Sequence, residues 1–199
     1  MTGALTVIVA VWFLLSVAAG HAGMFISPPS RPPLPLLVAV VGPPLVFLLV
    51  YRAWPRFREY ALGIDPRWLT AVQGWRVLGG AFLLLYAFGL LPGLFAWPAG
   101  VGDMAVGLAA PFVLRAILRG DQSWRRRVFW LNVGGLVDFA GAVGTGVLTS
   151  TSSLGLGGES AARAQLGALP LSLIPTFAVP LWIVFHLVSL LQLRRGSAA

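Results

Sequence analysis

Six polar side chains interrupt stretches that are otherwise apolar: Gln73, Arg76, Asp103, Asn132, Asp138 and His186. An ionisable group inside a membrane-spanning helix costs about 2.5–3.5 kcal/mol on insertion scales, so such groups pair with one another and tend to mark ion, proton or substrate pathways. A guanidinium (Arg76) opposite a carboxylate (Asp138), with Asn132, Gln73 and His186 around them, could hold a solute or a headgroup or pass a proton. The same pair could equally serve to hold helices together, since pairing offsets the cost of burying each charge. Arg76 could also run along its helix to the headgroups beside Trp75. Asp103 and Asp138 are, in addition, candidate acid–base groups for chemistry on a lipid or isoprenoid.

Those residues need elements to carry them, and the composition says which kind. Of 199 residues, 58% are hydrophobic and 10% charged. A soluble domain carries about 25% charged residues to cover its surface, whereas a bilayer accepts an apolar exterior. A helix crosses the hydrocarbon in about 20 apolar residues. Runs of that kind predict an all-α bundle of six transmembrane helices in a single domain spanning 1–199, with spans at about 4–24, 34–51, 69–91, 99–118, 128–148 and 169–193. The first run lacks a basic leader, so it is read as a retained span rather than a cleaved signal.

Arginine sets the sidedness. Arg52, Arg56, Arg58 and Arg67 fall between spans two and three. Arg115, Arg119, Arg125, Arg126 and Arg127 fall around the turn between spans four and five, and Arg194 and Arg195 follow span six. The opposite loops hold only Arg31 and Arg163. Basic loops stay in the cytoplasm, which predicts that both termini are cytoplasmic. The net charge of +8 is therefore read as membrane sidedness rather than nucleic-acid binding, with the Arg loops facing anionic inner-leaflet headgroups and the bilayer lipids as partners.

A rise of about 1.5 Å per residue gives relative depths. Arg76 lies about 22 Å from Leu91, Asn132 about 24 Å from Leu148 and His186 about 25 Å from Leu169, which predicts a shared layer in the inner third. Asp138 comes out near mid-membrane, about 15 Å from Leu148. Asp103, about 6 Å from Ala99, is expected in the first turn of its helix, where an acid offsets the helix dipole or lines an outward-facing mouth.

The connections differ in kind. Ser27–Pro35 reads as a stiff turn, Pro92–Gly100 as a short outer loop, and Thr149–Gly167 as a loose connector long enough to act as a lid. Arg52–Trp68 mixes aromatics with arginines and suits the inner leaflet surface. Proline pairs at Pro43–Pro44 and Pro175/Pro180, and Pro111, fall inside spans and remove backbone donors. Small residues at Ala140/Gly144, Ala142/Gly146 and Gly74, Gly79 and Gly80 allow close helix approach, within the chain or between copies in a homo-oligomer.

Several chemistries are excluded or disfavoured. There are no cysteines, hence no disulfide, thiolate metal site or cysteine nucleophile. His21 and His186 lie at different depths, which argues against a bis-histidine haem. No HExxH, Walker A, GxGxxG or GxSxG pattern is present. No cofactor and no metal are expected.

The layout of Gln73 and Arg76, then LLPGLFAWPAGVGD, then IPTFAVP, His186 and SLLQL resembles a set of small multi-pass bacterial membrane proteins of uncharacterised function. The resemblance implies a bacterial inner-membrane setting and supplies no activity, substrate or catalytic residue. The leading expectation is a small permease-like or ion-coupled transport component with a buried Arg/Asp/His layer. The alternatives are a membrane-embedded enzyme acting on a lipid or isoprenoid, or a non-catalytic scaffold.

Overall fold

A computed structural model describes residues 2–28, 32–150 and 166–195. Arg31, Arg163 and most of the candidate lid loop Thr149–Gly167 lie outside the described residues, as does the centre of the Ser27–Pro35 turn. In chain order the elements are α1 (Thr2–His21), α2 (Leu34–Ala53), α3 (Pro55–Leu62), α4 (Pro66–Ala71), a 3-10 segment (Val72–Gly80), α5 (Ala81–Ala87), α6 (Gly93–Arg119), α7 (Trp124–Ser150), a π-helical turn (Ile174–Ala178) and α8 (Val179–Arg195). No strand occurs among the described residues.

Among the described residues, six stretches are long and apolar enough to cross a membrane: Gly3–His21, Leu34–Ala53, Pro66–Ala87, Gly93–Arg119, Trp124–Thr149 and Ile174–Arg195. Large apolar side chains such as Leu14, Val38, Leu78, Phe112 and Val137 point outward on these helices. In water that surface would be an aggregation liability; in hydrocarbon it is at home. The chain is a multi-pass, all-helical membrane protein.

Several boundaries differ from the sequence expectation: the fifth span begins at Trp124 rather than Val128 and the sixth at Ile174 rather than Leu169, and two further differences change the reading of the chain. Pro92–Gly100 is not a loop. Pro92 caps the helix, α6 begins at Gly93, and Phe95, Ala96 and Ala99 are buried in its first turns. Proline is tolerated at a helix start, where the missing N–H would lack a partner anyway, and Pro98 is simply carried inside α6. The third span ends at Ala87 rather than Leu91, in a turn through Gly89. Pro43, Pro44 and Pro111 are likewise accommodated within continuous α2 and α6. The proline-rich start of the sixth span instead forms the π-helical turn, where the Thr176 hydroxyl donates to the Ser172 carbonyl at 2.7 Å.

The core falls into three apolar clusters. One joins Phe82, Leu91, Phe95, Ala96 and Ala99. A second joins Val106, Ala110, Val113, Val128 and Leu131 along the α6–α7 contact. The third joins Phe47, Ala61, Leu69 and Val188 and ties α2, α3 and α4 to α8. The Arg52–Trp68 connection is thus partly folded into the bundle, through Ala61, while Trp54 and Arg56 face outward. At this arginine-rich end the Gln192 amide donates to the Ile64 carbonyl at 2.7 Å and Arg125 donates to the Leu193 carbonyl at 2.7 Å. α1 is the most peripheral span, touching the π turn through Trp12 and Phe13 against Phe177, with centroids at 4.9 and 5.1 Å.

Candidate functional site

The site is built around the 3-10 segment of the third span. A 3-10 helix has three residues per turn, so residues i and i+3 eclipse. Gln73, Arg76 and Gly79 therefore stand in one column, which the buried Phe82 continues at the start of α5. The column faces α6 and α7. An α-helix over the same residues would rotate each successive member away from that face.

Arg76 is 4% exposed and buried among four polar partners. Its Nε donates to Asp103 Oδ1 on α6 at 2.7 Å. Its Nη2 donates to Asp138 Oδ2 on α7. Its Nη1 donates to His186 Nε2 on α8 at 3.0 Å and, at the limit of hydrogen-bond distance (3.5 Å), to the Gly135 carbonyl. The guanidinium carbon also sits 3.9 Å from the centre of the Phe139 ring, a cation–π geometry. Extension of Arg76 to the headgroups is thereby excluded.

Donor and acceptor logic fixes the histidine. A guanidinium has no acceptor, so His186 Nε2 must be the unprotonated, accepting nitrogen. Nδ1 then carries the hydrogen and donates to Asn132 Oδ1 at 2.7 Å. The Asn132 amide in turn donates to the Ser189 hydroxyl at 2.9 Å and to the Val128 carbonyl at 2.7 Å. A single directed chain thus runs from Arg76 through a neutral His186 and Asn132 to Ser189, with each step satisfied.

Glycines make the space. A Cβ on Gly102 would collide with the Asp138 carboxylate, and one on Gly135 with the His186 ring and the Arg76 guanidinium. Gly79 gives the same clearance to Asp103. Bare backbone is what lets four helices converge on one buried cation.

The two carboxylates open onto different spaces. Asp103 lines a cavity of about 90 Å³ walled by Phe82, Phe95, Phe139 and the start of α2. Asp138 lines a groove of about 520 Å³ between α6 and α7 that reaches Arg126 and Arg127.

A family model described as a domain of unknown function (DUF8737) matches residues 33–194. The chain belongs to the DUF8737 family. The match spans α2 through nearly all of α8, and so every residue of the polar cluster, while α1 precedes it. No curated protein and no solved structure matches the chain.

Within this DUF8737 chain the six candidates are not all brought together. Arg76, His186 and Asn132 are linked in turn by hydrogen bonds, and Asp138, expected nearer mid-membrane, meets Arg76 as well. Asp103 joins them, contrary to its expected place in a first helical turn. Because α6 starts at Gly93, Asp103 lies about 15 Å along it, level with Arg76. Gln73 is 1% exposed and its amide donates back to the Leu69 carbonyl at 3.4 Å, while its Oε1 meets no hydrogen-bond partner among the described residues. Sequence reasoning missed Gly102, Gly135, Phe139 and Ser189. The only signals for the glycines were their positions beside polar residues, in Gly-Val-Gly-Asp (residues 100–103) and Gly134–Gly135. Among the described residues no cluster of metal-ligating side chains occurs.

Proposed function

We propose that this protein moves protons across a bacterial inner membrane as the ion-coupled centre of a small permease, with its arginine-rich end in the cytoplasm. The observation that carries the reading is the position of Arg76 between two aspartates that line separate spaces, a cavity at Asp103 and a groove at Asp138. One guanidinium and two carboxylates leave the layer one positive charge short of neutral, so a single proton or cation completes it. Buried charge of that kind is costly unless it is used or compensated. The outer cavity, at about 90 Å³, is below the roughly 300 Å³ of ordinary ligand pockets and suits a few waters. On the Asp103 side that favours a proton over a bulky solute in this conformation, whereas the Asp138 groove, at about 520 Å³, is wide enough for a larger group. Arg76 would hold the two carboxylates apart and share its hydrogen bonds with whichever is ionised, while the neutral His186 fixes the guanidinium in place.

A second reading, an enzyme acting on a lipid, is favoured by the apolar groove ending at Asp138. Proton uptake separates the two. In proteoliposomes under an imposed membrane potential, a trapped pH dye should report uptake faster than in protein-free vesicles. D103N and D138N should return it to the protein-free level, and E59Q, at an exposed ion pair, should leave it unchanged. Wild-type uptake no faster than that of protein-free vesicles would overturn the transport reading, whatever the variants do.

A further inference from the structure

The groove between α6 and α7 runs from the buried charge layer at Asp138 to the arginines that open α7, and its two ends differ. Gly102, Ala105 and Ala109 on α6 and Gly134 on α7 form a trough of small residues, bordered by Val113 and Trp130. One end reaches Asp138, which is already paired to Arg76. The other reaches Arg126 and Arg127, both exposed, at the first turn of α7. From Arg126 to Asp138 is about 18 Å along α7, close to the thickness of one hydrocarbon leaflet, about 15 Å. The Arg127 Nε donates to the Ser123 hydroxyl at 3.1 Å, which holds that guanidinium near the mouth.

From the charged mouth, the small-residue walls and the one-leaflet length, we infer that this groove seats an anionic phospholipid, its phosphate on Arg126 and Arg127 and one acyl chain laid along α6 and α7 toward Gly102. Two neighbouring guanidinium groups match a phosphate's geometry and charge. Basic residues at the membrane surface favour anionic lipid over zwitterionic lipid. A second copy of the chain is a poorer occupant. In a two-fold pair inserted in the same direction, each mouth would meet the partner's arginine-rich end, and like charges repel.

The test is native mass spectrometry of the full chain in detergent, titrated with phosphatidylglycerol and with phosphatidylcholine of identical acyl chains. Phosphatidylglycerol should add first, one per chain, at least about tenfold tighter than phosphatidylcholine, as two arginine contacts imply. R126Q/R127Q should erase that preference, and R67Q, at an exposed arginine elsewhere, should keep it. A109F, which fills the trough, should weaken binding of both lipids. Equal affinity for the two lipids, equal loss in R67Q, or a lipid-free dimer would each overturn the assignment. Lipid binding and proton uptake are read separately, so either result can fail while the other holds.

Discussion

At the residue scale the protein solves one problem: keeping a guanidinium in hydrocarbon. Truncating one partner of a buried ion pair costs about 3–5 kcal/mol, because the other charge is left stranded. Here the cation is surrounded on every side by an acceptor or a ring: Asp103, Asp138, His186, the Gly135 carbonyl and Phe139. The glycines beside it are as necessary as the acids. Gly135→Ala should destabilise the protein by about 1–3 kcal/mol, since the added methyl group meets the His186 ring and Arg76. Gly144→Ala, on the same helix but facing open space, should be neutral or stabilising by up to about 1 kcal/mol from helix propensity. Thermal melting of both variants in one detergent checks the contrast. Equal melting temperatures would show that the close approach at Gly135 is not a constraint. The sequence could suggest that Arg76, Asn132 and His186 share a level, because rise per residue is nearly constant in helices, but it set Asp138 farther out than its contact with Arg76 places it. The tautomer of His186 was not legible there, because it depends on which partner each ring nitrogen meets.

At the element scale the decisive feature is the nine-residue 3-10 segment at Val72–Gly80. Runs of 3-10 longer than three or four residues are uncommon, and within a helix they mark hinges or sites under constraint. This one aligns Gln73, Arg76 and Gly79 toward the bundle. Nothing in the local sequence distinguishes it from an α-helix, since both satisfy the same apolar composition. The arginine-rich end shows a second element-level device. The Gln192 amide reaches the carbonyls of Ile64, Leu62 and Ala61, which latches the α3–α4 connection to the last helix. Gln192→Ala should cost about 1 kcal/mol there, enough to raise the opened population of that connection about fivefold. Trypsin should then cut at Arg67 several times faster, with the melting temperature little changed. An unaltered cleavage rate would mean that the apolar cluster of Phe47, Ala61, Leu69 and Val188 holds the connection without the glutamine.

At the scale of the whole molecule, sidedness is the property to measure. The chain has no cysteine, so single cysteines report without background. Gln122→Cys, in the turn between α6 and α7, should react with a membrane-impermeant maleimide only when the cytoplasmic face is opened. Ala22→Cys, just past α1, should react in intact cells. The reverse pattern would overturn the proposed orientation, with the arginine-rich end in the cytoplasm. The number of spans, their approximate positions and the segregation of arginine were determined by the sequence alone, because hydrocarbon imposes a helix length and an apolar surface that composition must obey. The start of α6 was misread, because Pro92 and Pro98 signal a loop in isolation, and burial of Phe95, Ala96 and Ala99 outweighs that signal. Only the tertiary structure brought Asp103 to Arg76 and opened the two aspartates onto different spaces. Helix rotation and register are set by side-chain packing between segments far apart in the chain, and no periodicity within one segment carries that information.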